Sequence, residues 1–171
     1  MLTNYNYLKL TLFIIIVFSF FSIPSISKLK ANDAFYAKGH IIHDLKLNIY
    51  WLRCSAGQVW NGEEQQCVGK PIKLTMDQID QAIELANKQL GGKWRLPTRN
   101  ELENLVCMTC GKTKINKRYF PNTPYEPFWT GEKNDWSKNK GFYWSVNFFT
   151  GHTFGRFPGH IPNFVRLVRD R

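Results

Sequence analysis

The residues in this 171-residue chain best suited to bind metal or carry redox chemistry are four histidines and four cysteines. The histidines are His40, His43, His152 and His160. Zinc needs ligands that converge from one side. His40 and His43 fall in a segment read as strand, where residues three apart point to opposite faces, so they cannot make a pair. Calcium needs closely spaced oxygen ligands, and Glu132 to Asp135 is too sparse for a calcium loop. The cysteines are Cys54, Cys67, Cys107 and Cys110. Cys107-Met-Thr-Cys110 has redox spacing, but a reactive pair needs a helix start, where the dipole lowers the thiol pKa. Here the pair follows an apolar helical face and precedes Gly111. Of three possible connectivities, the local one, Cys54–Cys67 with Cys107–Cys110, is the expectation. Ser145 lacks the strand-turn-helix elbow of a hydrolase nucleophile, and no glycine-rich phosphate loop is present. No catalytic residue, metal or cofactor is assigned.

Charge gives the stronger signal. The formal net charge is +10. Residues 32–110 are balanced, whereas residues 111–171 hold eleven basic groups against Glu126, Glu132, Asp135 and Asp170. Most aromatic residues outside the N-terminal segment also fall after residue 110. Lys112, Lys114, Lys117, Arg118, Lys133, Lys138, Lys140 and Arg156 belong to the loops and turns of this half and are the candidate ligand-binding residues. Such a set holds sulfate or carboxylate groups as point charges, with affinity that falls as salt screens them. Trp136, Tyr143 and His160 could offer faces to sugar rings. Scattered surface lysines without function are the plain alternative.

These residues need a scaffold. Thr75, with Gln78 three residues on, opens a helix whose apolar face is Met76, Ile79, Ile83, Ala86 and Leu90. Asp77, Asp80, Gln81, Glu84 and Lys88 face water. Gly91 and Gly92 end it. After a short extended step, Thr98 and Glu101 form a capping box for a second helix with an apolar face of Leu102, Leu105 and Val106. Arg95 in this corner is expected to pair with Glu101 beneath the Trp94 ring. Trp51, Trp94, Trp129 and Trp144 are expected in the core, with Arg166 and Arg169 partly structural.

Ala34 to Ala37 and Ile41 to Trp51 read as two strands, and Cys54 to Cys67 as a loop. Three prolines keep Phe120 to Pro127 from being a central strand. Glu132 to Gly141 reads as a polar loop. Strands resume over Phe142 to Phe149, Thr153 to Phe157 and Asn163 to Val168. The result is one α+β domain with two helices and a loop-rich antiparallel sheet. Ahead of it, residues 1–31 read as a secretory signal: Lys9, an apolar run from Leu10 to Ile23, then Pro24. Domain residues are 32–171. Export favours disulfides and keeps the chain from cellular nucleic acid, so none is assigned as partner.

Trp94-Arg-Leu-Pro-Thr98 with Glu101-Leu102 resembles the signature of the Lcl C-terminal domain family, secreted bacterial modules named after a collagen-like adhesin. Further motifs resemble the family in its own order. These are Ile42 to Trp51, Cys54 to Trp60, Phe120 to Pro124, Phe128-Trp129-Thr130, Trp144 to Phe148 with Thr150-Gly151, and Val165 to Arg169. The resemblance implies a C-type-lectin-like fold and, from the named adhesin, binding of sulfated glycosaminoglycans. The formylglycine-generating enzymes share that general fold but act through a late cysteine pair. All four cysteines here precede residue 111, so that activity is not carried over.

The sequence therefore reads as an exported, secreted or surface-located binding module, adhesin-like and not an enzyme. Its expected partner is an acidic or sulfated glycan, and membrane contact is expected only through an uncleaved signal segment. The alternatives are an envelope or assembly protein with a protein partner, or an enzyme of another kind.

Overall fold

The computed structural model describes residues 34–136 and 141–171. The signal segment expected over 1–31, and both Lys138 and Lys140, lie outside the described residues.

The segment expected as one strand from Ile41 to Trp51 is a hairpin. After β1 (Phe35–Lys38) come β2 (Ile41–Asp44) and β3 (Ile49–Leu52). The reversal is written in Asp44 and Asn48. The Asp44 carboxylate accepts the backbone N–H groups of Lys46 at 3.1 Å and Leu47 at 3.0 Å, folding the chain back. Asn48 takes the left-handed conformation, φ 56°, which asparagine tolerates better than most side chains. Asp44 is buried and also accepts the Trp51 indole N–H and the Asn104 amide.

The C-terminal strand β11 (Val168–Asp170) completes this sheet in the order β1-β2-β3-β11, antiparallel throughout. Within the loop expected from Cys54 to Cys67, β4 (Val59–Asn61) and β5 (Gln66–Val68) form a hairpin. The Cys54–Cys67 disulfide ties its base, and Cys107–Cys110 closes the second pair, as expected.

The third sheet runs β6 (Lys73–Leu74), β10 (Asn163–Phe164), β7 (Pro127–Lys133), β8 (Phe142–Asn147), β9 (Thr153–Pro158). Its β10–β7 pair is parallel and the others antiparallel. The centre is β7, whose last two residues belong to the stretch that reads in sequence as polar loop. Phe128, Trp129 and Thr130 are all buried, so the strand has core on both faces and shows no alternation. Pro127 stands at its first residue, where a missing N–H is tolerated. The strand expected from Asn163 to Val168 is two short ones in different sheets. Between them the buried Arg166 donates to the carbonyls of Leu52 and Arg53 and to the hydroxyls of Ser55 and Thr123. Burial pushes its guanidinium down to about 9, which leaves it charged at neutral pH.

Helix α1 (Met76–Leu90) matches its caps. The Thr75 backbone N–H donates to the Gln78 side chain at 3.0 Å, and Gly91, at φ 67°, donates its N–H to the Asn87 carbonyl. Ile79 is buried, with Met76, Ile83 and Ala86 packed beside it. Leu90 is half-exposed, because the last turn overhangs an apolar groove instead of the core. Helix α2 covers only Arg99–Glu103. Leu105 and Val106 leave it because Val106 pairs with Ile115 and Cys107 donates to the Lys114 carbonyl, drawing the chain extended. Leu105 is still core and Val106 packs against it.

Two apolar clusters result. One, with Ile42, Trp51, Phe120, Phe128, Phe148 and Val168, fills the space between the two larger sheets. The other, with Ile79, Trp94, Leu96, Trp129, Val165 and Leu167, lies under α1. Trp51, Trp94 and Trp129 are buried as expected, and Trp144 is partly buried with Arg99 over its ring. At the corner, Arg95 meets Glu101 with two hydrogen bonds, 2.8 and 2.9 Å, and also reaches Asp170. The group over the Trp94 ring is Arg169, not Arg95, at 5.1 Å from the ring centroid.

A basic, aromatic cleft

The hairpin β4–β5 folds back beside β1, and the loop after Asn116 closes the third side. Between them is a cleft of about 570 Å³. Phe35, Tyr36, Trp60 and Tyr119 supply aromatic wall, and Arg53, Lys117 and Arg118 supply charge. Among the described residues none of the lining side chains is a carboxylate, although Glu63 and Glu64 lie in the turn that carries Gln65.

Arg53 organises the cleft. It is buried, and its guanidinium donates to three backbone carbonyls: Tyr119 at 2.9 Å, Arg118 at 2.8 Å and Gly39 at 3.4 Å. It thereby ties the β1–β2 turn to the 116–120 loop, while lying 3.7 Å from the centroid of the Trp60 ring. Burial lowers its pKa from the ordinary value. Asn116 shapes the loop by accepting the Arg118 N–H at 3.0 Å on its side chain. Lys117 and Arg118 are exposed, the Arg118 guanidinium lying 5.7 Å from the centroid of the Tyr119 ring.

Of the candidate residues, then, the fold brings Lys117 and Arg118 together with Arg53. Lys112 stands over the Tyr125 ring at 4.3 Å, and Lys114 donates to the Met108 carbonyl at 3.3 Å, so both pack beside the Cys107–Cys110 loop. Lys133 lies 5.9 Å from the Tyr143 ring, and Arg156 is exposed on β9. The Lys114 backbone bonds to the Phe148 carbonyl, whereas Lys133 pairs with Tyr143 near the other end of β8. Five residues of strand separate those two points, roughly 16 Å. Trp136 and His160 are exposed and Tyr143 is partly buried, and none of them lines the cleft.

Sequence reasoning missed Arg53, Tyr36 and Trp60 as site residues because they belong to the charge-balanced half. The available signal was Arg53 placed next to Cys54, whose disulfide fixes the hairpin carrying Trp60.

Among the described residues no group of histidine, cysteine and acidic side chains is placed to hold a metal. His40 stands in the turn between β1 and β2 and not in the strand expected for it; it is exposed, as are His152 and His160, and His43 packs against Tyr50. A second groove, about 380 Å³, runs beneath the outer half of α1, bordered by Val59, Ile72, Leu85 and Leu90.

Residues 40–169 match the Lcl C-terminal domain family. The chain belongs to that family. The Lcl family is of adhesin type, which points to an extracellular or surface location. No curated protein and no solved structure matches the chain. Among the described residues of this Lcl C-terminal domain, no helix is long and apolar enough to cross a membrane.

Proposed function

We propose that the domain is a non-enzymatic, lectin-like module that binds acidic glycans in the cleft beside Trp60. The observation that carries this is the convergence of Arg53, Lys117 and Arg118 with aromatic wall and no lining carboxylate. Lys117 and Arg118 would hold sulfate or carboxylate, and the rings of Tyr36 and Trp60 would face sugar rings. Family membership supports the reading, as does an α+β fold whose first and last strands share one sheet, in keeping with a C-type-lectin-like architecture.

The test is an array of sulfated and neutral glycans read at two salt concentrations. Binding should be confined to acidic members and fall as salt rises, since screening shortens the reach of each charge. The pair Lys117→Ser/Arg118→Ser should lose about tenfold or more in affinity with its melting temperature unchanged. Equal binding by parent and double variant would reject the cleft.

A second reading, a protein partner and no glycan, has one observation in its favour. Val59, Ile72, Leu85 and Leu90 leave apolar surface exposed along the groove under α1.

A further inference from the structure

The outer face of the four-stranded sheet carries a row of side chains that the cleft does not explain. Tyr36, His43, Tyr50 and Arg169 come one from each strand and are successive register partners: Tyr36 with His43, His43 with Tyr50, Tyr50 with Arg169. Their side chains meet in that order. The ring centroids of Tyr36 and His43 are 5.6 Å apart and those of His43 and Tyr50 4.3 Å, and the Arg169 guanidinium lies 5.0 Å from the Tyr50 centroid. Three strand spacings make the row roughly 14 Å long.

One end of this sheet face is closed, since Ile41, Leu52 and Leu167 join the cluster under α1. The row itself is not. Tyr36 is 57% exposed, and His43, Tyr50 and Arg169 each keep part of their surface. The charges that act on His43 are Lys38 from β1, and Arg169 and Arg171 at the end of the chain. The acids of these strands are turned elsewhere: Asp44 is buried, and Asp170 pairs with Arg95. The row also meets the cleft, because Tyr36 contributes to its wall.

Cross-strand ring pairs stabilise sheets, and that would account for the contacts. It does not account for an uncovered line of rings flanked, among the described residues, by three cations and no acid. Flat ring faces suit the apolar faces of sugars, and flanking cations suit their sulfate or carboxylate groups.

We propose that Tyr36, His43 and Tyr50, with Lys38, Arg169 and Arg171, form a second subsite that takes the continuation of a linear acidic polysaccharide seated in the cleft. This rests on the acidic-glycan reading of the cleft. It also sets a pH dependence. Burial first, then Arg171, Lys38 and Arg169, hold the His43 pKa below its ordinary value of 6.5. A bound polyanion offsets those cations and moves the pKa up. By linkage, protonating His43 then tightens binding, so affinity rises as pH falls through the histidine range.

The experiment uses the full chain, a heparin tetrasaccharide and a heparin dodecasaccharide. Parent, a ladder variant (Tyr50→Leu/Arg171→Ser) and the cleft variant (Lys117→Ser/Arg118→Ser) are compared, each checked for folding by thermal melt. The long chain should bind the parent about tenfold more tightly than the short one. The ladder variant should lose that advantage and keep the affinity for the tetrasaccharide, whereas the cleft variant should weaken for both. In the parent, the His43 ring signals should titrate at higher pH when the dodecasaccharide is bound.

An unchanged long-to-short ratio in the ladder variant, or a His43 titration that the dodecasaccharide does not move, would overturn the subsite and leave the cleft standing. A parent that binds neither oligosaccharide rejects both readings. Polyglutamate of matched charge, binding as tightly and with the same loss in the ladder variant, would show a surface for charge alone and overturn the sugar assignment. Should Tyr50→Leu fail to fold, Lys38→Ser/Arg171→Ser and the His43 titration in the parent decide the same question.

Discussion

At the scale of single residues, a few charged side chains serve as internal struts of the fold. Asp44, Arg53, Arg95 and Arg166 all spend their hydrogen bonds on the chain itself. Arg95 and Glu101 give a prediction. Side-chain exposure is 35% for Arg95 and 14% for Glu101, so the pair is half-buried and worth less than a fully buried one. Arg95→Ala should therefore cost roughly 1–2 kcal/mol, between the values for exposed and buried pairs. Desolvation by burial would raise the Glu101 pKa, but the hydrogen bonds from Arg95 and Thr98, with the Arg95 charge, outweigh it and leave the pKa below 4.5. A carboxylate depressed in the folded state contributes stability above its unfolded pKa and loses it as pH falls through the folded one. Denaturant melts from pH 6 down to about pH 3 should show the parent losing stability faster than Glu101→Gln, the difference vanishing at the acid end. Parallel curves would show that the pair does not act in this way.

At the scale of elements, caps were legible and pairings were not. Thr75, Gly91 and the Thr98–Glu101 box sit in sequence beside what they cap, so both helix starts could be read directly. The hairpin at Asp44 to Asn48 was hidden because Leu45 and Leu47 prolong an apolar pattern through the turn. Central strand β7 was hidden because burial on both faces removes alternation. The two disulfides were readable from local spacing, and they differ in what they hold. Cys54–Cys67 closes a separation of 13 residues and Cys107–Cys110 one of 3. Loop-closure entropy makes them worth roughly 3 and 2 kcal/mol. Replacing the first pair by alanine should lower the melting temperature more, and should also weaken acidic-glycan binding, since the freed hairpin carries Trp60. Replacing the second pair should leave binding intact. Calorimetry with a heparin titration on both variants checks this. A larger loss of binding from the Cys107–Cys110 pair would move the site away from the cleft, towards Lys112 and Lys114.

At the scale of the whole molecule, the basic half read from the sequence is not one surface. Lys117 and Arg118 join Arg53 from the balanced half, Lys112 and Lys114 pack by the second disulfide, and Lys133 lies towards the far end of β8. Sequence order could not show this, because the fold interleaves its two ends. The last strand, β11, lies against β3, and Val168 exchanges both backbone hydrogen bonds with Arg95, at 2.8 and 2.9 Å. Val168 is fully buried, Arg169 covers Trp94, and Asp170 pairs with Arg95. Four residues thus close the sheet, cap the corner between α1 and α2, and end the ring ladder. A chain lacking residues 168–171 should lose its cooperative thermal transition and its near-ultraviolet circular dichroism, because one side of β3 and both backbone groups of Arg95 are left without partners. A chain lacking only Arg171, whose side chain bonds to the exposed Asn48, should melt within a few degrees of the parent. If the four-residue deletion melts cooperatively at the parent's temperature, β11 is an accessory strand, and the fold is held by the two apolar clusters without closure of its ends.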